Sequence, residues 1–248
     1  MDHTTRFDGK GEVYAKGRPK YAAGLLTYLK DTLGIPAGSV FADVGAGTGI
    51  FTEQLLQCGY QVFAVEPNPD MWKKAEEKLS QIPGFCAVDG NASHTGLPER
   101  SVNHVTAAQA FHWFAPEDFR QECRRIVKPG GSVMLVYNFR NVQAPCTKDL
   151  AALQRTCNPA FPGFSNGMDE ETCRAFFSGK CSVYRADNTQ VYDRQGYIDR
   201  VMSSSYSPGE TDNGYEEYLQ SVLGIFDRYA TDGRIAVPAD TVAYIGTI

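Results

Sequence analysis

The sequence predicts an α/β domain built on a parallel sheet covered by helices on both faces. Three observations predict it. Over the first two-thirds of the chain, short β-branched runs alternate with longer segments of helical spacing. A glycine-rich turn follows the first of those runs, at the edge where open α/β sheets bind ligands. The 248 residues, 42% hydrophobic and 21% charged, hold enough apolar material for a substantial core.

Taken in order, a helix is expected over about 22–33, ended by Gly34 and Pro36. Strands are expected over 40–44, 61–66, 85–89, 102–107 and 132–137, with helices over 52–58, 71–79 and 117–127 between them. After Tyr137 the pattern changes. Helices over 147–157 and 170–177 flank a loop rich in Pro and Gly at 158–163. A strand over 182–192, a short helix over 197–202, a long helix over 215–229 and a last extended stretch over 241–248 complete the chain. No internal repeat or low-complexity tract interrupts this order. One domain is expected over 1–248: an N-terminal flap and helix to about 34, a ligand-binding core over 35–138, a helical cover over 139–180, and C-terminal strands and helices over 181–248.

Composition narrows the function classes. A net charge of -5 argues against a partner gripped through its phosphate backbone. The longest strongly apolar run, 133–137, is far shorter than the roughly 20 residues that cross a bilayer. No basic-then-apolar leader opens the chain, so the expectation is a cytoplasmic protein with no membrane partner. The seven cysteines form no Cys-x-x-Cys pair and do not cluster with the four histidines, which points to reduced thiols and no metal site.

The most informative segment is Phe41-Ala42-Asp43-Val44-Gly45-Ala46-Gly47-Thr48-Gly49, which ends the first strand and opens a helix. Glu66 closes the second strand about 20 residues on, where an acid meets ribose hydroxyls. The glycines run Gly-x-Gly-x-Gly, not the Gly-x-Gly-x-x-Gly of a dinucleotide fingerprint. A carboxylate immediately before the loop gains nothing against a pyrophosphate, whereas it suits a ligand with an ammonium group.

Asp43 through Gly49, with Glu66-Pro67-Asn68-Pro69-Asp70-Met71, resembles motifs I and II of class I S-adenosyl-L-methionine (SAM)-dependent methyltransferases. The similarity continues through Gly90-Asn91-Ala92, Leu97-Pro98, Ser101-Val102, Ala108-Gln109-Ala110-Phe111-His112-Trp113-Phe114 and Arg125-Ile126-Val127-Lys128-Pro129-Gly130-Gly131. Together with Tyr14-x-x-x-Arg18-Pro19-x-Tyr21 upstream, the set resembles the type-11 branch, and within it trans-aconitate methyltransferase-like proteins. The resemblance is close over about 10–138 and loose beyond. It implies a three-layer Rossmann-like fold whose seven-stranded, mostly parallel sheet has its last strand, 241–248, antiparallel between strands five and six.

It also implies roles. Asp43, Gly45, Ala46 and Gly47 hold the methionine end of SAM, and Glu66 and Pro67 the ribose side. Met71 lies against the adenine, and Asn91 and Ala92 hold its edge, with Asn91 standing where Asp is frequent. Gln109 and Ala110 form the lip beside the reactive methyl. Tyr14 and Arg18 form a flap across the cofactor, Arg18 able to fork onto a carboxylate of cofactor or substrate. His112 is the candidate catalytic base, with a structural or cofactor-side role as its alternative. Trp113, Phe164 and Tyr206 are candidate acceptor contacts, the alternative being that Trp113 fills the sheet-to-helix corner and that Phe164 and Tyr206 anchor long loops. The expected activity is direct in-line methyl transfer to a small organic acceptor, leaving S-adenosyl-L-homocysteine (SAH). Methylation of RNA or protein, and SAM binding without catalysis, stand as alternatives. The chain lacks the Asn/Asp-Pro-Pro-Tyr of amino-group nucleic-acid methyltransferases, which argues against nucleic acid.

Overall fold

The structure, a computed structural model, describes residues 18–248 except 205. Its strands are β1 (Val40–Val44), β2 (Gln61–Val65), β3 (Phe85–Val88), β4 (Val102–Ala108), β5 (Val127–Arg140), β6 (Ser182–Asp187), β7 (Gln190–Tyr192), β8 (Ile235–Val237) and β9 (Ala239–Gly246). The helices are α1 (Ala23–Thr27, running on as a π turn over Tyr28–Thr32), α2 (Ile50–Gln57), α3 (Pro69–Leu79), α4 (Pro116–Ile126), α5 (Pro145–Cys157), α6 (Glu170–Phe176), α7 (Arg194–Met202) and α8 (Tyr215–Tyr229).

Seven strands form one sheet in the order β3-β2-β1-β4-β5-β9-β6. The first five pair in parallel, and β9 runs antiparallel between β5 and β6. This is the sheet that the sequence predicts. Side chains along β5 show why both faces are covered. Val133, Leu135 and Tyr137 enter one buried cluster with Phe119 of α4 and Cys173 and Phe176 of α6. Met134 and Val136, between them, enter another with Leu25 of α1 and Phe51 and Leu55 of α2. A strand buried on both sides reads as a continuous apolar run, the form of 133–137. Proline at the first position opens α3, α4 and α5, where its missing N–H costs nothing. Asn68 Oδ1 caps α3 by accepting from Met71 N at 3.0 Å.

Two boundaries and one placement differ from expectation. The strand expected over 182–192 breaks at Asn188: Thr189 N and Oγ1 both donate to the Asp187 carboxylate, and Asn188 Nδ2 donates to Lys20 O and Asn138 Oδ1. Past that turn, β7 leaves the main sheet and pairs with β8 alone. The fifth strand is longer than 132–137, starting directly after α4 at Val127 and ending at Arg140, because β9 pairs with it as far as Ala239 opposite Arg140. Phe176 and Phe177, expected with the cover, pack in the main core instead. A third apolar cluster, joining Leu150 of α5, Tyr197 and Val201 of α7, Tyr218 and Val222 of α8, and Ile235 and Val237 of β8, stands against the ligand edge of the sheet.

Candidate active site

The glycine loop is fastened to the neighbouring strand. Gly45 N and Ala46 N both donate to Val65 O, at 2.8 and 3.1 Å. Glu66 holds the loop from the other side: its Oε2 accepts from Gly47 N at 2.8 Å and its Oε1 from Asn68 N at 3.0 Å. Both glycines have positive φ, +71° and +57°. A Cβ on Gly45 would stand 2.6 Å from Ala110 Cβ and 3.1 Å from Phe114 Cζ, whereas one on Gly47 would meet nothing within 4 Å. The first glycine lets β1 pack against 110–114, and the second leaves open space above bare backbone.

Beneath the loop Asp43 is 1% exposed. Thr52 Oγ1 donates to its Oδ2 at 2.7 Å and Thr106 Oγ1 to its Oδ1 at 2.8 Å. Burial raises its pKa to about 6 despite those two donors. Burial also raises the pKa of Glu66. Asp43, Gly45, Ala46, Gly47 and Thr48 line a cavity of about 550 Å³, closed by Arg18, Gln109, Asn138 and Arg200. Thr48 Oγ1 is buried there with no hydrogen-bond partner among the described residues.

Those last four wall residues also line a second cavity, of about 750 Å³, beneath α5, α7 and the 161–165 loop. Its further lining includes His112, Trp113, Arg140, Gln154, Phe164 and Tyr206. Gln109 stands between the two with φ +54°, its N–H donating to Val136 O at 2.8 Å. Arg18 Nη2 donates to Ser203 O at 3.2 Å, tying the N-terminal segment to the end of α7.

His112 rests on Tyr137, a wholly buried side chain. The Tyr137 hydroxyl oxygen accepts from His112 N at 3.1 Å, and its own hydrogen has His112 Nδ1 as partner at 3.3 Å. That leaves the ring proton on Nε2. Burial, helped by the nearby Arg18 charge, lowers the His112 pKa to about 3, so the ring is neutral at physiological pH.

The other sequence-predicted residues fall outside the walls of these two cavities. Ala110 packs on Gly45, Glu66 and Pro67 lead from β2 toward α3, and Met71 is buried in the first turn of α3. Asn91 and Ala92 lie in the turn after β3, where Asn91 Oδ1 accepts from Ser93 N, Ser93 Oγ and His94 N. Tyr14 lies outside the described residues. Among the described residues, no group of three or more His, Cys, Asp or Glu is placed to hold a metal. No helix among them is long and apolar enough to cross a membrane. Sequence reasoning missed Thr48, Asn138, Arg140, Gln154 and Arg200. Arg140 had a readable signal, since it ends a strand at the ligand edge, but the strand was expected to stop at Tyr137.

Residues 42–135 match a family model described as a methyltransferase domain. The match runs from β1 into β5 and takes in the glycine loop, Glu66 and Gln109. An uncharacterised methyltransferase of Mycobacterium tuberculosis is 28% identical over 252 residues, covering 100% of this chain and 97% of that protein. Another, of Schizosaccharomyces pombe, is 29% identical, covering 93% of this chain and 92% of its own. The chain is a SAM-dependent methyltransferase. Solved methyltransferase structures share its fold. A candidate type II methyltransferase of Anaeromyxobacter dehalogenans superposes with TM-score 0.69 at 20% identity, covering 93% of this chain and 97% of that one. A Geobacter sulfurreducens SAM-dependent methyltransferase, solved with SAH, superposes with TM-score 0.51 at 17% identity, covering 91% and 90%.

The smaller cavity of this methyltransferase fits its cofactor. The open face of Gly47 is a cradle that a side chain would fill, Thr48 brings an unpartnered buried hydroxyl, and Asp43 brings a carboxylate suited to a cation.

Proposed function

We propose that this methyltransferase moves the methyl group of SAM directly onto a small organic acceptor held in the larger cavity, leaving SAH. What carries the reading is the pair of adjoining cavities: Arg18, Gln109, Asn138 and Arg200 belong to the walls of both. When bound, SAM supplies a methyl group on a sulfonium centre. Asp43 and the loop 45–48 hold its amino-acid end, and Glu66 keeps lone pairs for the ribose hydroxyls beyond those given to Gly47 and Asn68. Pro67 and Met71 flank the ribose and adenine, with Ala92 at the adenine edge. Asn91, its oxygen engaged in its own turn, offers the amide Nδ2 to a ring nitrogen. Gln109 and Ala110 stand at the junction, Arg18 bridges the two cavities, and Tyr14 belongs to the same flap.

Trp113, Phe164 and Tyr206 shape the acceptor side. Direct transfer asks the protein mainly to align two reactants and keep water out, which a covered cavity does. We read His112 as a positioning group that presents Nε2–H to the acceptor, since a ring with a pKa of about 3 takes up a proton poorly near neutrality. Kinship with the trans-aconitate methyltransferase-like branch, through Arg18-Pro19-x-Tyr21 and the 108–114 stretch, belongs to this proposal. So does a single domain over 1–248, with a cytoplasmic location suited to seven free cysteines. The test is transfer of a labelled methyl from SAM into pooled small metabolites, with RNA and protein pools alongside. Label entering the small-molecule pool supports the reading. Label entering only RNA or protein, or no pool at all, overturns it.

A further inference from the structure

The larger cavity holds a cation with no carboxylate beside it among the described residues. Three arginines, Arg18, Arg140 and Arg200, line the cavity, and Arg18 and Arg200 are engaged in contacts of their own. Arg140 is the informative one. Its guanidinium lies over the Phe164 ring, 4.6 Å from the centroid, and no carboxylate of the described residues pairs with it. Stacking fixes the plane of the fork but leaves its N–H donors without an acceptor. Burial of that guanidinium lowers its pKa, and a buried cation is costly unless an anion meets it.

The same cavity contains an unmet acceptor. Gln154, 2% exposed, donates from Nε2 to Tyr218 Oη at 2.6 Å. The end of the network sets its direction: Ser207 Oγ gives its hydrogen to Val201 O, so the Tyr218 hydroxyl gives its own to Ser207 and accepts from Gln154. Gln154 Oε1 is left buried with no donor among the described residues. Neither Arg140 nor Gln154 belongs to the cofactor cavity. Arg140 lies two residues beyond Asn138 along β5, about 7 Å farther from the junction that the methyl group crosses.

We infer that the acceptor cavity selects molecules carrying an anionic group for Arg140 and a separate hydrogen-bond donor for Gln154, the anion being the handle by which the acceptor is held and not the atom that is methylated. A carboxylate and a phosphate ester both present the oxygens that a guanidinium fork takes. This deepens the small-acceptor reading and rests on it.

The test uses the full chain saturated with SAH and three probe pools: small hydroxy- and amino-carboxylic acids, their neutral amides, and small phosphate esters that keep a free hydroxyl. Ligand-observed NMR reads binding, and labelled SAM reads transfer. The wild type is expected to bind one of the anionic pools, which identifies the anion, and to ignore the amides. Arg140→Gln should weaken that binding about ten- to a hundredfold, the scale of losing a charged hydrogen-bonded pair. Arg140→Lys should restore part of it, and SAH affinity, unchanged in both, shows that each variant is folded. Gln154→Met should remove the preference for free hydroxyl or amino compounds over their methyl ethers and quaternary ammonium analogues, which have no hydrogen to donate. Equal binding of acids and amides, binding of no pool, or unaltered anion binding in Arg140→Gln overturns the inference. Arg140-dependent anion binding with no methyl transfer to any pool keeps it and fails the small-acceptor reading. Transfer to neutral amides regardless of Arg140 does the reverse.

Discussion

Asp43 is placed where a carboxylate is costly and a cationic ligand relieves the cost. Its folded pKa of about 6 lies above the ordinary 3.8, so the native state holds the proton more tightly than the unfolded chain does. Stability of the cofactor-free protein therefore falls as pH rises from about 4 to about 6, and above that it carries a penalty of roughly 3 kcal/mol. Asp43→Asn is expected to raise cofactor-free stability near pH 7 by about 1–3 kcal/mol and to flatten that slope, while weakening SAM binding. Calorimetric melting and titration across pH check both. In the wild type, SAM affinity should fall about tenfold for each pH step below 6, because the cation needs the ionised acid. Flat affinity from about pH 5 to pH 7.5 would remove the cation from Asp43. His112 is argued from its tautomer: with the proton on Nε2, His112→Ala should lower kcat by less than the roughly hundredfold minimum expected for loss of a general base. Nor should kcat show a titration between pH 6 and 7. A larger fall that added imidazole repairs would restore the base role.

The loop between β1 and α2 is the element proposed to cradle the cofactor, and its two glycines would serve it differently. At Gly45 an alanine would meet both a positive φ and a Cβ contact of 2.6 Å, so Gly45→Ala should cost about 2–4 kcal/mol of stability. At Gly47 the methyl enters open space, so Gly47→Ala should cost only about 1 kcal/mol in stability yet lower SAM affinity tenfold or more, by filling the ligand's place. Denaturant melts and titration calorimetry on the two variants separate these outcomes. A similar stability loss in both, with SAM affinity unchanged in Gly47→Ala, would mean that the loop does not cradle the cofactor. This element was legible in the sequence because strand end, glycines and acid lie close together in the chain. The parallel strands were legible too, since strands buried on both faces read as apolar runs, while the antiparallel place of the last strand followed from the family resemblance. The acceptor side was not. Arg140, Gln154 and Arg200 come from β5, α5 and α7, brought together by packing over long separations; Gln154 and Arg200 carry no local pattern, and Arg140 lies past the point where its strand was expected to end. The break after Asp187 was hidden because its cause is tertiary: Asn188 is held by Lys20 and Asn138, both distant in sequence.

At the scale of the molecule, two of the three apolar clusters share the central sheet, while the third joins α5, α7, α8 and β8 apart from it. The larger cavity lies between the sheet edge and that third cluster, with Leu150 and Gln154 of α5 and Val201 of α7 on one side and Gln109, Asn138 and Arg140 on the sheet side. A unit with its own small core can open without unfolding the sheet, and an acceptor needs such an opening to enter and leave. The cover is nonetheless tethered, by Arg18 donating to Ser203 O and by Ser165 reaching Gln109 at 3.5 Å. Amide hydrogen exchange should therefore run slowest in β1, β4, β5 and β9 and at least about tenfold faster in α5, α7 and α8, whose opening exposes less apolar surface than global unfolding. SAH alone is expected to protect the 45–49 loop and the first turn of α2, leaving α5 and α8 nearly unchanged. SAH together with a bound acceptor should slow exchange across α5 and α7 as well, because the acceptor touches Gln154 on one side and Arg140 on the other. If α5, α7 and α8 already exchange as slowly as β4 and β5, and no ligand alters them, the cover is a fixed part of the core. The acceptor must then enter along the sheet edge rather than beneath a cover that opens.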